Sequence, residues 1–106
     1  MSENYYKSLV EQSKDYFNKA YKFQTEGLLE KAIENYNLSI ELFPTPEAYT
    51  FLGWTYSLLG NYEKAIEECK NAIEIDSDYG NSYNDIGAYL IAQGKPDDAI
   101  PYIEMA

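Results

Sequence analysis

A fixed interval constrains this chain more than any other feature. Tyr49, Gly53, Gly60, Ala65 and Ala72 recur as Tyr83, Gly87, Gly94, Ala99 and Ala106, each 34 positions on. In the other direction, Gly60, Ala65, Cys69 and Ser77 answer to Gly27, Ala32, Tyr36 and Pro44, each 33 positions earlier, which places one deletion in the first linker. Self-similarity at this period means copies of one supersecondary unit that bury their apolar faces only by stacking. The interval divides the chain into a leading segment, 1–12, and units at 13–45, 46–79 and 80–106.

The middle unit shows what one copy contains. Tyr49, Leu52, Gly53, Tyr56 and Leu59 form one helical stripe over Glu47–Leu59, and Ala65, Ile66, Cys69, Ala72 and Ile73 form another over Tyr62–Ile75. Gly60-Asn61 breaks the two apart. Glycine and alanine stand where the stripes meet, so the spacing predicts two helices in close approach. Before this unit, Ser2 is a candidate cap for one long helix ending at Gly27, with Tyr5, Leu9, Tyr16, Ala20 and Phe23 at roughly helical spacing. A second helix is predicted over Leu29–Leu42, facing inward through Ala32, Ile33, Tyr36 and Ile40. Phe43-Pro44-Thr45-Pro46 stops it, because proline disfavours helical geometry in the residue before it. The last pair is predicted at Asn81–Gln93 and from Pro96 to the end, where Asp97 and Asp98 suit a helix N-terminus.

These residues carry a resemblance. The middle unit (Tyr49, Leu52, Gly53, Tyr56, Gly60, Tyr62, Ala65, Cys69, Ala72, Ser77) resembles the tetratricopeptide repeat (TPR). So does the third, with Tyr83, Ile86, Gly87, Leu90, Gly94, Pro96, Ala99, Ile103 and Ala106. The first is the most divergent: Tyr16, Lys19, Ala20, Phe23, Gly27, Leu29, Ala32, Tyr36, Ser39 and Pro44, with Lys19 where leucine is usual. The resemblance implies an all-α fold, a right-handed α-solenoid of three stacked antiparallel helix pairs, the last lacking a separate capping helix. It also implies a concave groove lined by the first helix of each pair.

Carried over by position, the family's groove residues are Lys14, Phe17, Tyr21 and Gln24 in the first unit. They continue as Glu47, Thr50, Trp54 and Ser57 in the second, and Asn81, Asn84, Ala88 and Ile91 in the third. Trp54 lies off the apolar stripe, so a large ring is expected on the open face, where it either forms an aromatic shelf for a ligand with Phe17 and Tyr21 or packs against Tyr21 and stiffens the adjacent helices. Family members that grip the acidic C-terminal tails of large chaperones use basic and amide groups. The matching positions are Phe17, Tyr21, Phe51, Asn81 and Asp85; none is basic, so such tails are not expected as partners.

Other chemistry is missing. There are 18 acidic against 8 basic residues, a net charge of −10, which repels nucleic-acid phosphates and anionic membranes and either serves solubility alone or attracts a basic partner. With no histidine and a single cysteine, Cys69, the chain has neither a disulfide nor a zinc ligand set. Cys69 is expected as a small buried hydrophobe. Asp76-Ser77-Asp78-Tyr79-Gly80 is not a calcium loop: its glycine comes too early, and Gly87 stands where the glutamate belongs. The Asn37-Leu38-Ser39 glycosylation pattern falls mid-helix. Neither a secretion signal nor a membrane span is legible, so a cytoplasmic protein is expected, with no cofactor, metal or catalysis.

The chain stops at Ala106, leaving Leu90, Ile100 and Ile103 partly uncovered; this predicts either a piece of a longer protein or pairing of copies through that end. The expected function is a non-catalytic scaffold holding a peptide or helix of a partner protein, apolar or basic. The alternatives are a self-assembling structural subunit and the regulatory arm of a larger protein.

Overall fold

The computed structural model describes residues 3–106, so Ser2, the candidate cap, lies outside the described residues. Six helices follow one another: α1 (Glu3–Thr25), α2 (Leu29–Leu42), α3 (Pro46–Leu58), α4 (Tyr62–Ile75), α5 (Gly80–Ala92) and α6 (Pro96–Met105). Among the described residues there is no strand. The helices form three antiparallel pairs stacked as a right-handed α-solenoid, and α6 is its last element.

The same turn joins the helices within every pair. Gly27, Gly60 and Gly94 take φ of 81°, 80° and 79°, a left-handed conformation that glycine adopts without steric cost. The amide after each glycine reaches back to close the helix end: Leu28 to the Phe23 carbonyl, Asn61 to Tyr56 and Lys95 to Leu90, all at 2.9 Å. The links between pairs differ in length. Residues 43–45 separate α2 from α3 and residues 76–79 separate α4 from α5, so the shorter sequence interval is absorbed in the first link. Pro46 opens α3 behind Thr45, whose side chain accepts the Ala48 amide at 3.1 Å, an N-cap that satisfies one orphan donor.

Two clusters make the core. Ala20, Ala32, Tyr36 and Leu52 form the first, and Ala65, Cys69, Ile86 and Tyr89 the second, with Tyr56 packed against both. Gly53 is where α3 meets α4: a Cβ there would stand 2.9 Å from the Ala65 carbonyl oxygen and 3.2 Å from Cys69 Sγ. Cys69 is fully buried, and burial pushes its thiol up to about 12. It is a small hydrophobe, not a nucleophile.

One expectation is corrected. Leu59 caps α3 instead of extending its buried stripe and is exposed. Tyr5 is exposed and stacks edge-on against Tyr6. Lys19, substituted for the family's leucine, points out and lays its ammonium 5.3 Å from the Tyr16 ring centre, and α1 and α2 are joined by serines instead. Ser39 Oγ donates to the Ser13 carbonyl at 2.8 Å, and Ser13 Oγ donates to the Ser39 carbonyl at 2.9 Å. Both hydroxyls are buried and satisfied, so the polar contact costs little.

Candidate functional site

The open face of α1, α3 and α5 carries two adjoining features. The first is an aromatic shelf between α1 and α3. Phe51, not Trp54, is its hub. Its ring stacks on Phe17 at 5.1 Å and on Tyr21 at 5.9 Å, meets the Trp54 ring at 6.0 Å, and has the buried Tyr36 ring edge-on at 6.3 Å. Such offset and edge contacts suit the ring quadrupole. Phe51 is half-buried, whereas Trp54 at the margin keeps 40% of its surface exposed. Trp54 leans on Phe51, and Tyr21 reaches it only through that ring.

The second feature is a cavity of about 270 Å³ between α3 and α5. Phe51, Trp54, Tyr79 and Tyr89 supply its rings, and Thr50, Asn81 and Asp85 its polar groups. Thr50 and Ser82 lock the two helices beneath it through buried hydroxyls 2.9 Å apart. Burial alone raises the Asp85 carboxyl to about 6, because desolvation disfavours the ionised form. Tyr89 is likewise raised by its own burial and then by the Asp85 charge. Tyr79 is raised by burial first, against a hydrogen bond from Asn81 that favours its ionised form.

The residues expected to line the groove therefore separate. Thr50, Trp54 and Asn81 come together around the cavity, and Phe17 and Tyr21 on the shelf. Lys14, Phe17 and Glu47 border a smaller hollow of about 230 Å³ beside Ser13 and Thr45. Asn84, Ala88 and Ile91 are exposed on α5 outside the cavity. Ser57 is half-buried, and its hydroxyl donates to the Trp54 carbonyl at 2.6 Å.

Two of the expected groove residues are not open to a ligand. Gln24 is buried, its Oε1 accepting the Tyr36 hydroxyl at 2.6 Å while its Nε2 is left without a partner. Thr50 is buried against Ser82 and offers the cavity only an edge. The contribution of Phe51, Tyr79, Tyr89 and Asp85 to the open face was not drawn from the sequence. Phe51 and Asp85 did stand at the tail-gripping positions, the one signal that marked them.

Among the described residues, no group of three or more His, Cys, Asp or Glu side chains is placed to hold a metal, and no helix is long and apolar enough to cross a membrane. The arrangement offers a stack of rings and a small open cavity beside it.

Comparison with known proteins points the same way. Residues 16–46 and 46–79 each match the tetratricopeptide repeat. The small glutamine-rich tetratricopeptide repeat-containing protein 2 of Saccharomyces cerevisiae is 35% identical over 72 residues, covering 67% of this chain and 21% of the yeast protein. Its namesake in Mycosarcoma maydis is 33% identical over 92 residues, covering 86% of this chain and 25% of its own length. The chain thus spans a quarter or less of these relatives. Among solved structures, MamA superposes with a TM-score of 0.85 at 25% identity, covering 89% of this chain and 56% of MamA. The second TPR of Spaghetti (RPAP3), bound to the HSP90 peptide SRMEEVD, gives 0.83 at 25% identity, covering 89% of this chain and 88% of that one. With its repeats, its helix pairs and its relatives in agreement, this chain belongs to the tetratricopeptide repeat family.

Proposed function

We propose that this chain is a non-catalytic interaction module whose concave face holds an extended or helical segment of a partner protein. The observation that carries this reading is the half-exposed Trp54 beside a ring stack already ordered by Phe51. Tryptophan at such a margin presents a large rigid surface at little entropic cost, the property of an interface anchor. A fold neighbour that holds a peptide supports the reading by analogy.

The bound segment is apolar or basic rather than an acidic tail. The neighbour's peptide ends in acidic residues, whereas the gripping positions here are Phe17, Tyr21, Phe51, Asn81 and Asp85 in a chain of net charge −10. We take the units as 13–45, 46–79 and 80–106 after a leading helical segment. A cytoplasmic setting suits a lone, buried, unpaired thiol.

The test is selection from a displayed random peptide library on the wild type, followed by binding of the selected peptides to Trp54→Ala. Peptides that lose at least tenfold in affinity on a variant with unchanged helicity and melting support the reading. Peptides that bind both proteins equally contradict it.

A second reading, self-assembly, draws on Ile100, Ile103 and Met105, all about half-exposed on α6. Sedimentation across a wide concentration range tests it. Association that rises with concentration and is lost in Ile100→Lys favours it; a monomer throughout removes it.

A further inference from the structure

The cavity between α3 and α5 combines features that a simple apolar groove lacks. Its rings come from three separate elements: Phe51 and Trp54 on α3, Tyr79 on the link before α5, and Tyr89 on α5. Its one ionisable acid is Asp85. Aromatic faces carry negative potential and attract cations within about 6 Å of the ring centre, so rings and carboxylate favour the same sign of ligand charge.

No cation of the chain itself fills that role. Among the described residues, the lysines that lie over rings are Lys19, Lys31 and Lys64, over Tyr16, Phe23 and Tyr56, none of which borders the cavity. The only cause shifting the Asp85 carboxyl is its own desolvation, with no compensating positive charge. A partly desolvated acid among rings costs stability unless something offsets it, and such misplaced charges gather at binding sites. The cavity's size narrows the ligand further. At about 270 Å³ it falls below the roughly 300–1,000 Å³ of pockets for drug-sized molecules, and suits one side chain.

We propose that the cavity bounded by Phe51, Trp54, Tyr79 and Tyr89 takes the positively charged side chain of a lysine or arginine in the partner segment, with the Asp85 carboxylate as its counter-ion. The proposal rests on the groove reading above and specifies it. The cationic head lies against Asp85 and the exposed Asn81 amide carbonyl, and the methylene stem lies across Trp54 and Phe51. The net charge of −10 draws such a segment toward the face.

Trp54 is the only tryptophan, so its fluorescence reports on the cavity directly. The probes are N-acetyl-lysine amide, N-acetyl-arginine amide and the neutral N-acetyl-norleucine amide, titrated into the wild type and Asp85→Asn at pH 7.5. The expected result is a saturable change with at least one cationic amide, at a concentration at least tenfold below that for norleucine. Asp85→Asn should reduce that preference to within about twofold. Equal responses to cationic and neutral amides in the wild type overturn the proposal, and that comparison requires no variant. A preference that survives in folded Asp85→Asn also overturns it.

Library-selected peptides separate this failure from failure of the groove reading. If they depend on Trp54 but tolerate norleucine at every basic position, the groove stands and the cation site falls. If none depends on Trp54, the groove reading itself falls.

Discussion

The two halves of the open face of α1, α3 and α5 are built from equivalent stretches of the repeat and do opposite things. Between α1 and α3 the surface is a stack of rings, Phe17, Tyr21 and Phe51, resting on Tyr36 and continuous with the first core cluster. Between α3 and α5 it opens into a cavity floored by paired hydroxyls and bearing a carboxyl whose ionised form is disfavoured by burial. The difference shows that a repeat fixes where backbone lies and leaves the side chains free. Ring on ring closes one half into an extension of the core; the other half stays open around a carboxyl set among rings.

The widest gap between the halves is expected from Phe51→Ala. It removes the hub that four rings share, and a half-buried phenylalanine truncated in this way costs about 2–3 kcal/mol, below the full core value. Chemical denaturation should show that loss, together with lost binding of selected peptides. Trp54→Ala, at the margin, should lose binding alone.

The glycines sharpen the contrast next. At Gly53 an added methyl meets the Ala65 carbonyl, which is backbone and has nowhere to go. At Gly87 it meets Ile103 Cγ1, part of a side chain already 45% exposed and able to turn into solvent. Alanine gains about 1 kcal/mol over glycine in a helix, and overpacking costs about 1–3 kcal/mol. Gly53→Ala should therefore lower the denaturation midpoint, while Gly87→Ala leaves it unchanged or raises it. Equal losses at both positions would mean that the two pairs are equally tight.

The smallest expected effect is electrostatic. The Asp85 carboxyl rises from 3.8 to about 6 on folding, so the folded state holds its proton more tightly than the unfolded chain. The stability tied to the neutral acid is full below 3.8 and is lost as pH rises through about 6. Tyr79 on the preceding link, Tyr89 on α5 and Cys69 on α4 face the same charge. All three are shifted upward and stay neutral across this window. Asp85→Asn should raise the melting temperature by several degrees at pH 7.5, corresponding to about 1 kcal/mol, and by almost nothing at pH 4. A gain of the same size at both pH values would show that it does not come from the ionisation of Asp85, and no gain at either would place Asp85 in water.

Much of this was legible from sequence, because glycine, proline and the repeat interval act locally. Gly27, Gly60 and Gly94 mark every tight turn, and Pro44, Pro46 and Pro96 bracket helix ends. What escaped depends on partners distant in sequence. Gln24 reads as an exposed polar residue until Tyr36, twelve positions on, folds back over it. Thr50 reads the same way until stacking brings Ser82 against it from 32 positions away. Phe51 lies beside the buried Leu52 and off its stripe, so helical spacing alone gives it no role; only the approach of α1 makes it a hub. Asp85 reads simply as a residue of the wrong sign for acidic tails until α3 and α5 enclose it.

Amide and indole chemical-shift mapping with a library-selected peptide tests the central claim most directly. Shifts concentrated on Phe51, the Trp54 indole N–H, Asn81 and Asp85, with α6 silent, are what a partner held in the concave face produces. Shifts confined to Ile100, Ile103 and Met105, with the Trp54 indole unmoved, would place the interaction on the outer end of the stack and contradict the account.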